Sequence, residues 1–504
     1  MTESTWVRLY ARGFFLSPTS IAFLDELEHY RCIELTDYCL YADTITEIGV
    51  ARDGSDWLVT IGKLLPLSTG DITATGEDIA DELLHLLQHS GLKAVETALY
   101  DIAGRHAIIL KTGGKVYAYH DAGGHRTVYF NSAQRLIASH FDMLHRLTGV
   151  QEYFCPVGSK NPKTSPDGLW DITENPYIKA LLPNHRLALL DGTQTRFGLQ
   201  CANPYINVAW QEKIELVHRL WHEQLQQLFE LRPKLPLGVS LSGGLDSRTV
   251  LAHMRPYIEN IRAFTYTAAN VKTGAKPTSF WQRTMTTDHN ILCQMADHLP
   301  QDFHVLVKPS VPNLTESDNK ILARNAVRNH GRPYVPMYKD LFPDINSIHV
   351  RGNFVEMGRL IRGNTALPEQ RDRLAAILEE VVRRRRPSLK AYTKFFWAKV
   401  EEFQYESLHH DVEYTDVYHW ENRSSRWYAE IVNETDTVFD SIVPVNARRI
   451  YQILTSPNAN VRPGAQFQTD LIHRAWPELL TYGINSEEDL YTTTLRQQLL
   501  EGSH

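Results

Sequence analysis

Short apolar or alternating runs, each cut off by glycine or another turn former, dominate the first two-fifths of the chain. Leu58–Leu65, Ala107–Leu110, Lys115–His120 and Thr127–Phe130 read as strands. Ile79–Gln88 interrupts them with helical spacing that brings Ile79, Leu83, Leu84, Leu86 and Leu87 broadly to one side. Turn-rich stretches follow at Gly158–Gly168 and Asp191-Gly192. The pattern changes around Cys201–Val208. Trp210–Leu231 then carries Ile214, Val217, Trp221, Leu225 and Leu228 at the spacing of one long amphipathic helix. Beyond it, apolar runs (Leu235–Leu241, Ala263–Thr267, His304–Val307) alternate with helix-like stretches such as Arg248–Met254 and Asn290–Leu299. That alternation predicts a parallel sheet with helices on both faces. After about Arg371 the chain reads mostly helical. Two domains are expected, at 1–205 and 210–504.

Bulk properties narrow the class. The 504 residues allow two or three domains with large cores. A hydrophobic share of 43% and a charged share of 22% describe an ordinary globular protein. The formal net charge of −7 leaves no electrostatic footprint for nucleic acid. The one basic run, Arg383–Arg386, follows a helix-like LAAILEEVV and reads as a helix C-terminus favoured by its dipole, with phosphate or RNA binding as the alternative. Five cysteines without CxxC spacing indicate neither zinc nor a disulfide framework. With no signal peptide and no apolar run of membrane-spanning length, a cytoplasmic protein is expected.

The chemistry concentrates in Leu237–Ser247, LGVSLSGGLDS. A buried strand, the turn Ser242-Gly243-Gly244-Leu245-Asp246-Ser247 and a helix start together make a phosphate cradle. The glycines let backbone N–H groups approach an anion without a Cβ in the way. Ser242 and Ser247 add hydroxyl donors, and Asp246 is suited to the Mg²⁺ that travels with a nucleotide. A plain βα turn is the bland alternative. There is no Walker GxxxxGK[ST] motif.

The loop resembles the pyrophosphate loop of the ATP pyrophosphatase superfamily, whose members cut ATP between its α and β phosphates. Further segments resemble asparagine synthetases in order along the chain: Gly104-Arg105-His106-Ala107, Tyr119–Phe130 (YHDAGGHRTVYF), Ile137-Ala138-Ser139-His140 and Leu182-Pro183-Asn184-His185 before the loop, then Arg262–Thr267 and Asp288–Leu299 after it. The resemblance implies an N-terminal glutaminase-like, Ntn-type β-sandwich. It also implies a C-terminal ATP-pyrophosphatase domain, a doubly wound parallel sheet with a helical C-terminal extension. It further implies that Leu241 and Thr265, Tyr266 and Thr267 lie near the nucleotide base. The glutaminase chemistry is missing: the chain begins Met1-Thr2-Glu3, without the cysteine nucleophile, and has no glutamine-holding NG[ED] segment. Thr2 is a second-choice nucleophile; a structural relic is the expected reading. Where the family carries SGEGADE, this chain has Arg351-Gly352-Asn353-Phe354-Val355-Glu356-Met357-Gly358-Arg359. Aligned on Gly352, Glu356 falls at the second metal ligand's place, with a surface carboxylate as the alternative. Arg351, Arg359 and Arg362 are expected either on pyrophosphate or a carboxylate, or as solvated arginines. β-Lactam-forming relatives use a late lysine; none follows Lys399, so Arg448, Arg449 or Arg462 is left to supply the charge, Arg449 being the catalytic candidate.

These residues lead to an expected AMP-forming amide ligase that uses ATP and Mg²⁺, acting on small-molecule or peptide carboxylates and amines. No nucleic-acid or membrane partner is expected, and a homodimer is compatible. Lactam or macrolactam closure, use of free ammonia and a catalytically decayed nucleotide-binding module stay open as alternatives. A tRNA-modifying adenylase is disfavoured by the acidic balance.

Overall fold

The computed structural model describes residues 6–67, 74–150, 169–231, 237–309, 313–327, 330–359, 367–385, 389–458, 462 and 464–486. Thr2, the Gly158–Gly168 stretch, Arg362 and Arg386 therefore lie outside the described residues.

Among those residues the chain forms a mixed α/β structure with two antiparallel six-stranded sheets and one parallel five-stranded sheet. In the first antiparallel sheet the spatial order is Lys179–Ala180, Tyr129–Asn131, Leu136–Ala138, Phe14–Ser17, Tyr38–Asp43, Tyr30–Leu35. The second runs Thr193–Arg196, His185–Ala188, Lys115–His120, Ile102–Thr112, Asp56–Pro66, Ile48–Asp53. Alternation decides how they stack. Phe14, Leu16, Leu40 and Ala42 of the first sheet share one apolar cluster with Trp57, Val59, Ile61, Ala107 and Ile109 of the second. The intervening residues point outward. Leu58, Ile108, Leu110 and Tyr119 meet Ile79, Leu83, Leu84 and Leu87 of the helix Gly76–Ser90. Phe15, Tyr41 and Tyr129 meet Leu24, Met143 and Leu144 of two shorter helices. Each sheet is thus buried on both faces, which is why Asp56–Pro66 reads as an apolar run rather than an alternation.

The helix Trp210–Leu231 forms with the predicted bounds, and Ile214, Val217, Trp221, Leu225 and Leu228 are all buried. The parallel sheet follows, with the spatial order Phe303–Val307, Ile261–Thr267, Leu237–Ser240, Ile348–Val350, Asp440–Ile442. In chain order these strands are third, second, first, fourth and fifth. Strand order therefore reverses between Leu237–Ser240 and Ile348–Val350, where an open α/β sheet opens a crevice beyond its carboxyl edge.

One expectation needs correction. The helix expected from Asn290 begins ten residues earlier, at Phe280, because Ser279 and Gln282 form a reciprocal capping box there. The region after Arg371 is mostly helical, as expected, and within it Asp440–Ile442 supplies the fifth strand, too short for its periodicity to register.

The antiparallel and parallel parts meet through buried polar groups. Every Arg105 N–H-bearing nitrogen is engaged: Nη1 with Asp436 at 2.5 Å and Asp440 at 3.1 Å, Nη2 with Asp436 at 2.8 Å and Asn433 at 3.1 Å, Nε with the His125 carbonyl at 3.1 Å. Asn446 accepts the Gly123 N–H at 2.6 Å and donates to the Gly104 carbonyl at 2.5 Å and to Asp121 at 2.9 Å. Asp121 also accepts the N–H groups of His125 and Arg126.

Candidate functional site

A cavity of about 580 Å³ opens at the strand-order reversal. One wall is the loop after Leu237–Ser240. Ser242 N–H donates to Ser247 Oγ at 3.0 Å, the two serine hydroxyls lie 3.0 Å apart, and Gly244 N–H points to Ser242 Oγ at 3.3 Å. The turn is held by its own side chains until the helix Leu245–His253 begins. Behind it, buried Arg248 donates to the carbonyls of Leu479, Tyr482 and Gly483 and fastens a late segment to the loop. Thr265 and Tyr266, at the end of the neighbouring strand, line the same cavity with Leu241.

The second wall follows the strand Ile348–Val350. Gly352 sits so close to the loop that a Cβ there would lie 2.7 Å from the Asp246 carbonyl oxygen and 2.8 Å from Ser247 N. This contact brings Asp246 and Glu356 into one cavity although 110 positions separate them. Asp246 Oδ2 accepts from Arg359 Nη2 at 2.9 Å, while its Oδ1 is buried without a hydrogen-bond partner. Glu356 Oε1 lies 3.7 Å from His419 Nε2. Burial, and next the neighbouring Glu356 carboxylate, push the Asp246 carboxyl up to about 7 against the pull of Arg359. For Glu356 burial acts upward too, but the nearby His419 ring, with help from the backbone and Arg359, holds it below its ordinary value.

A third wall was not visible in the sequence. The helical run continuing Tyr414–Tyr418 widens to π geometry over His419–Tyr428, so that His419, Arg423, Ser424, Trp427 and Tyr428 all line the cavity. The Arg423 guanidinium lies 3.9 Å over the Trp427 ring. The hydroxyls of Ser424 and Tyr428 are buried without hydrogen-bond partners. A 3.6-residue period does not bring those five positions to one face, which is why pattern reading passes over them. Asp288, from Phe280–Gln294, completes the lining by accepting the Gly243 N–H at 2.9 Å.

Of the predicted site residues, Leu241, Ser242, Asp246, Ser247, Thr265, Tyr266, Gly352, Glu356 and Arg359 line this one cavity. Gly243, Gly244 and Leu245 form the turn behind it. Arg449 does not come to the cavity. It lies in the first turn of Arg448–Thr455, which faces the antiparallel part, and its guanidinium donates to Asp101 at 2.5 Å. Arg448 likewise donates to the His120 carbonyl, and Arg462 to Asp416. Arg351 lies with its guanidinium carbon 5.3 Å from the Tyr428 ring centre, behind the third wall.

The cavity suits an anionic ligand accompanied by a divalent cation. Loop N–H groups and hydroxyls meet the anion, and two adjacent carboxylates, one with an unpartnered oxygen, meet the cation. No protein-family model matches the chain, and no curated protein matches it. No helix among the described residues is long and apolar enough to cross a membrane.

Proposed function

We propose that this cavity is the nucleotide site of an ATP-dependent, AMP-forming amide ligase of the asparagine-synthetase-like kind. The observation that carries the reading is the convergence of Ser242, Ser247, Asp246 and Glu356 on one cavity at the strand-order reversal. The unpartnered Asp246 Oδ1 and the adjacent Glu356 fit a Mg²⁺ ion, which when bound offsets the charge of the phosphate chain. Gly352, with no space for a Cβ, fixes the spacing of those two carboxylates.

In this reading a substrate carboxylate oxygen attacks the α-phosphorus, the bond to the β-phosphate breaks, and pyrophosphate leaves against the loop's N–H groups and hydroxyls. An amine then attacks the acyl carbon and AMP leaves. The protein positions the reactants and supplies fixed charge. Arg359, paired with Asp246 at 2.9 Å, is a cation beside the phosphates. The π-helical wall, with the unpartnered Ser424 and Tyr428 hydroxyls, faces the acyl and amine substrates. The two stacked antiparallel sheets form an Ntn-type domain without glutaminase activity. Its hairpin residues Arg105 and Asp121 serve to dock it on the synthetase part.

The test is AMP and pyrophosphate release from ATP with Mg²⁺ and small-metabolite extract, comparing wild type with Asp246→Ala. AMP made by the wild type alone supports the reading, and the consumed metabolite identifies the carboxylate. ATP binding without AMP from either protein refutes a ligase and leaves a nucleotide-binding module.

A further inference from the structure

Asp288 occupies an unusual place for a carboxylate. It stands in the helix Phe280–Gln294, is 8% exposed, and lines the cavity that has to admit a phosphate chain. Its Oδ1 holds the Gly243 N–H at 2.9 Å. Among the described residues no ion pair involves it. Burial raises its carboxyl above the ordinary range, and the Gly243 N–H is the one opposing influence. The approach is close on both sides, since a Cβ on Gly243 would lie 2.9 Å from the same Oδ1 and 2.7 Å from Ile291 Cδ1.

The other loop donors are occupied differently. Ser242 N–H and Gly244 N–H rest on the Ser247 and Ser242 hydroxyl oxygens. A hydroxyl turns and becomes a donor to an arriving anion. A carboxylate has no proton to offer, so an anion oxygen that takes the Gly243 N–H faces a like charge at close range in a partly buried site.

We propose that Asp288 is an internal competitor for the loop's anion site and a specificity-determining residue of the adenylating reaction, an inference that rests on the function proposed above. Its carboxylate and the bound diphosphate group contend for the Gly243 N–H. The loop therefore accepts a phosphate chain whose charge a divalent cation has offset and rejects the bare chain. When pyrophosphate loses its cation, Asp288 retakes the N–H and the product leaves.

The experiment is isothermal titration of inorganic pyrophosphate into wild type and Asp288→Asn, once with excess EDTA and once with Mg²⁺. Asparagine keeps the Oδ1 acceptor for Gly243 and removes the charge; Asp288→Ser, which frees the N–H, is the second variant, and thermal melts confirm folding of both. In EDTA the variants are expected to bind pyrophosphate at least tenfold more tightly than wild type, with the gap closing to under threefold in Mg²⁺. Equal or weaker binding by the variants in EDTA overturns the proposal and leaves Asp288 as a loop anchor. No pyrophosphate binding by any of the three proteins in either buffer overturns the phosphate-loop reading together with it. The predicted gain in EDTA without AMP formation from ATP refutes the ligase alone.

Discussion

Gly352→Ala tests the geometry on which the candidate site depends. The added Cβ would lie 2.7 Å from the Asp246 carbonyl oxygen, 2.8 Å from its carbonyl carbon and 2.8 Å from Ser247 N, all of them backbone atoms. Carbon contacts are comfortable at roughly 3.5–4 Å, so the two segments must part by about 0.7 Å. The strand side resists, because Ile348–Val350 is laddered to Leu237–Ser240 on one side and Asp440–Ile442 on the other, and Arg351 N–H continues to the Ile442 carbonyl at 2.9 Å. The loop and the first turn of Leu245–His253 move instead, taking Asp246 away from Glu356. Overpacking of this kind costs about 1–3 kcal/mol, which lowers the melting temperature of a chain this long by a few degrees at most. Function should suffer more. Ligand distances at a metal tolerate about 0.2 Å. A misplacement approaching 1 Å costs on the order of 10²-fold in rate, so AMP release should fall about a hundredfold while the far-ultraviolet spectrum is unchanged. AMP release and Mg²⁺-dependent ATP binding are the assays. A variant with wild-type rate and wild-type melting would refute both the close seating of strand on loop and its use in setting the carboxylate pair.

Two further predictions concern the scaffold. Asn446→Ala leaves the Gly123 N–H, the Gly104 carbonyl and one Asp121 hydrogen bond unsatisfied in a buried junction, so urea unfolding should show a loss of about 3–5 kcal/mol; a loss below about 0.5 kcal/mol would mean that the junction relaxes or is wet. The buried histidines make the fold acid-sensitive: burial above all else holds His106 and His120 down to about 4 and His140 and His253 down to about 3. Because the folded pKa is depressed, the stability is fully present above the unfolded value of 6.5. It is lost as pH falls from there towards 4 for His106 and His120 and towards 3 for His140 and His253, each histidine taking up one proton on unfolding and costing about 1.4 kcal/mol per pH unit. Urea midpoints at pH 7.5 and 5.5 should differ strongly, and equal midpoints would show that these histidines are protonated in the fold.

The sequence made some parts legible and left others hidden for reasons that can be named. Trp210–Leu231 was readable because a 22-residue helix repeats its apolar spacing over six turns. Strands of three or four residues, such as Phe14–Ser17 and Asp440–Ile442, offer two periods at most and become strands only when a neighbour pairs with them. The loop Ser242–Ser247 was readable because its chemistry is local. Glu356 was reachable only by resemblance, since its partner Asp246 is brought to it by a non-local strand pairing and a glycine contact. Arg449 shows the converse. Its position and charge suited a catalytic role, but a helix chooses which neighbour its first turn faces, and this one faces Asp101 across the junction.

The same reasoning applies to the hairpin residues Arg105 and Asp121, which the structure uses to dock the antiparallel part on the parallel part. A buried guanidinium with all its nitrogens engaged and a carboxylate accepting several N–H groups are costly to replace one at a time, since each single change strands the partners of the rest. Packing alone can therefore hold such residues in place, and a motif built from them reports the docking of two parts as much as a reaction. At the loop the position is different. Ser242, Ser247 and Asp246 face a cavity, and one Asp246 oxygen is buried there without a hydrogen-bond partner. Buried polar atoms without hydrogen-bond partners also occur in the antiparallel part, at His106 and His140 among others, so what carries the proposed reading is where the Asp246 oxygen lies: beside a second carboxylate, in a cavity at the strand-order reversal.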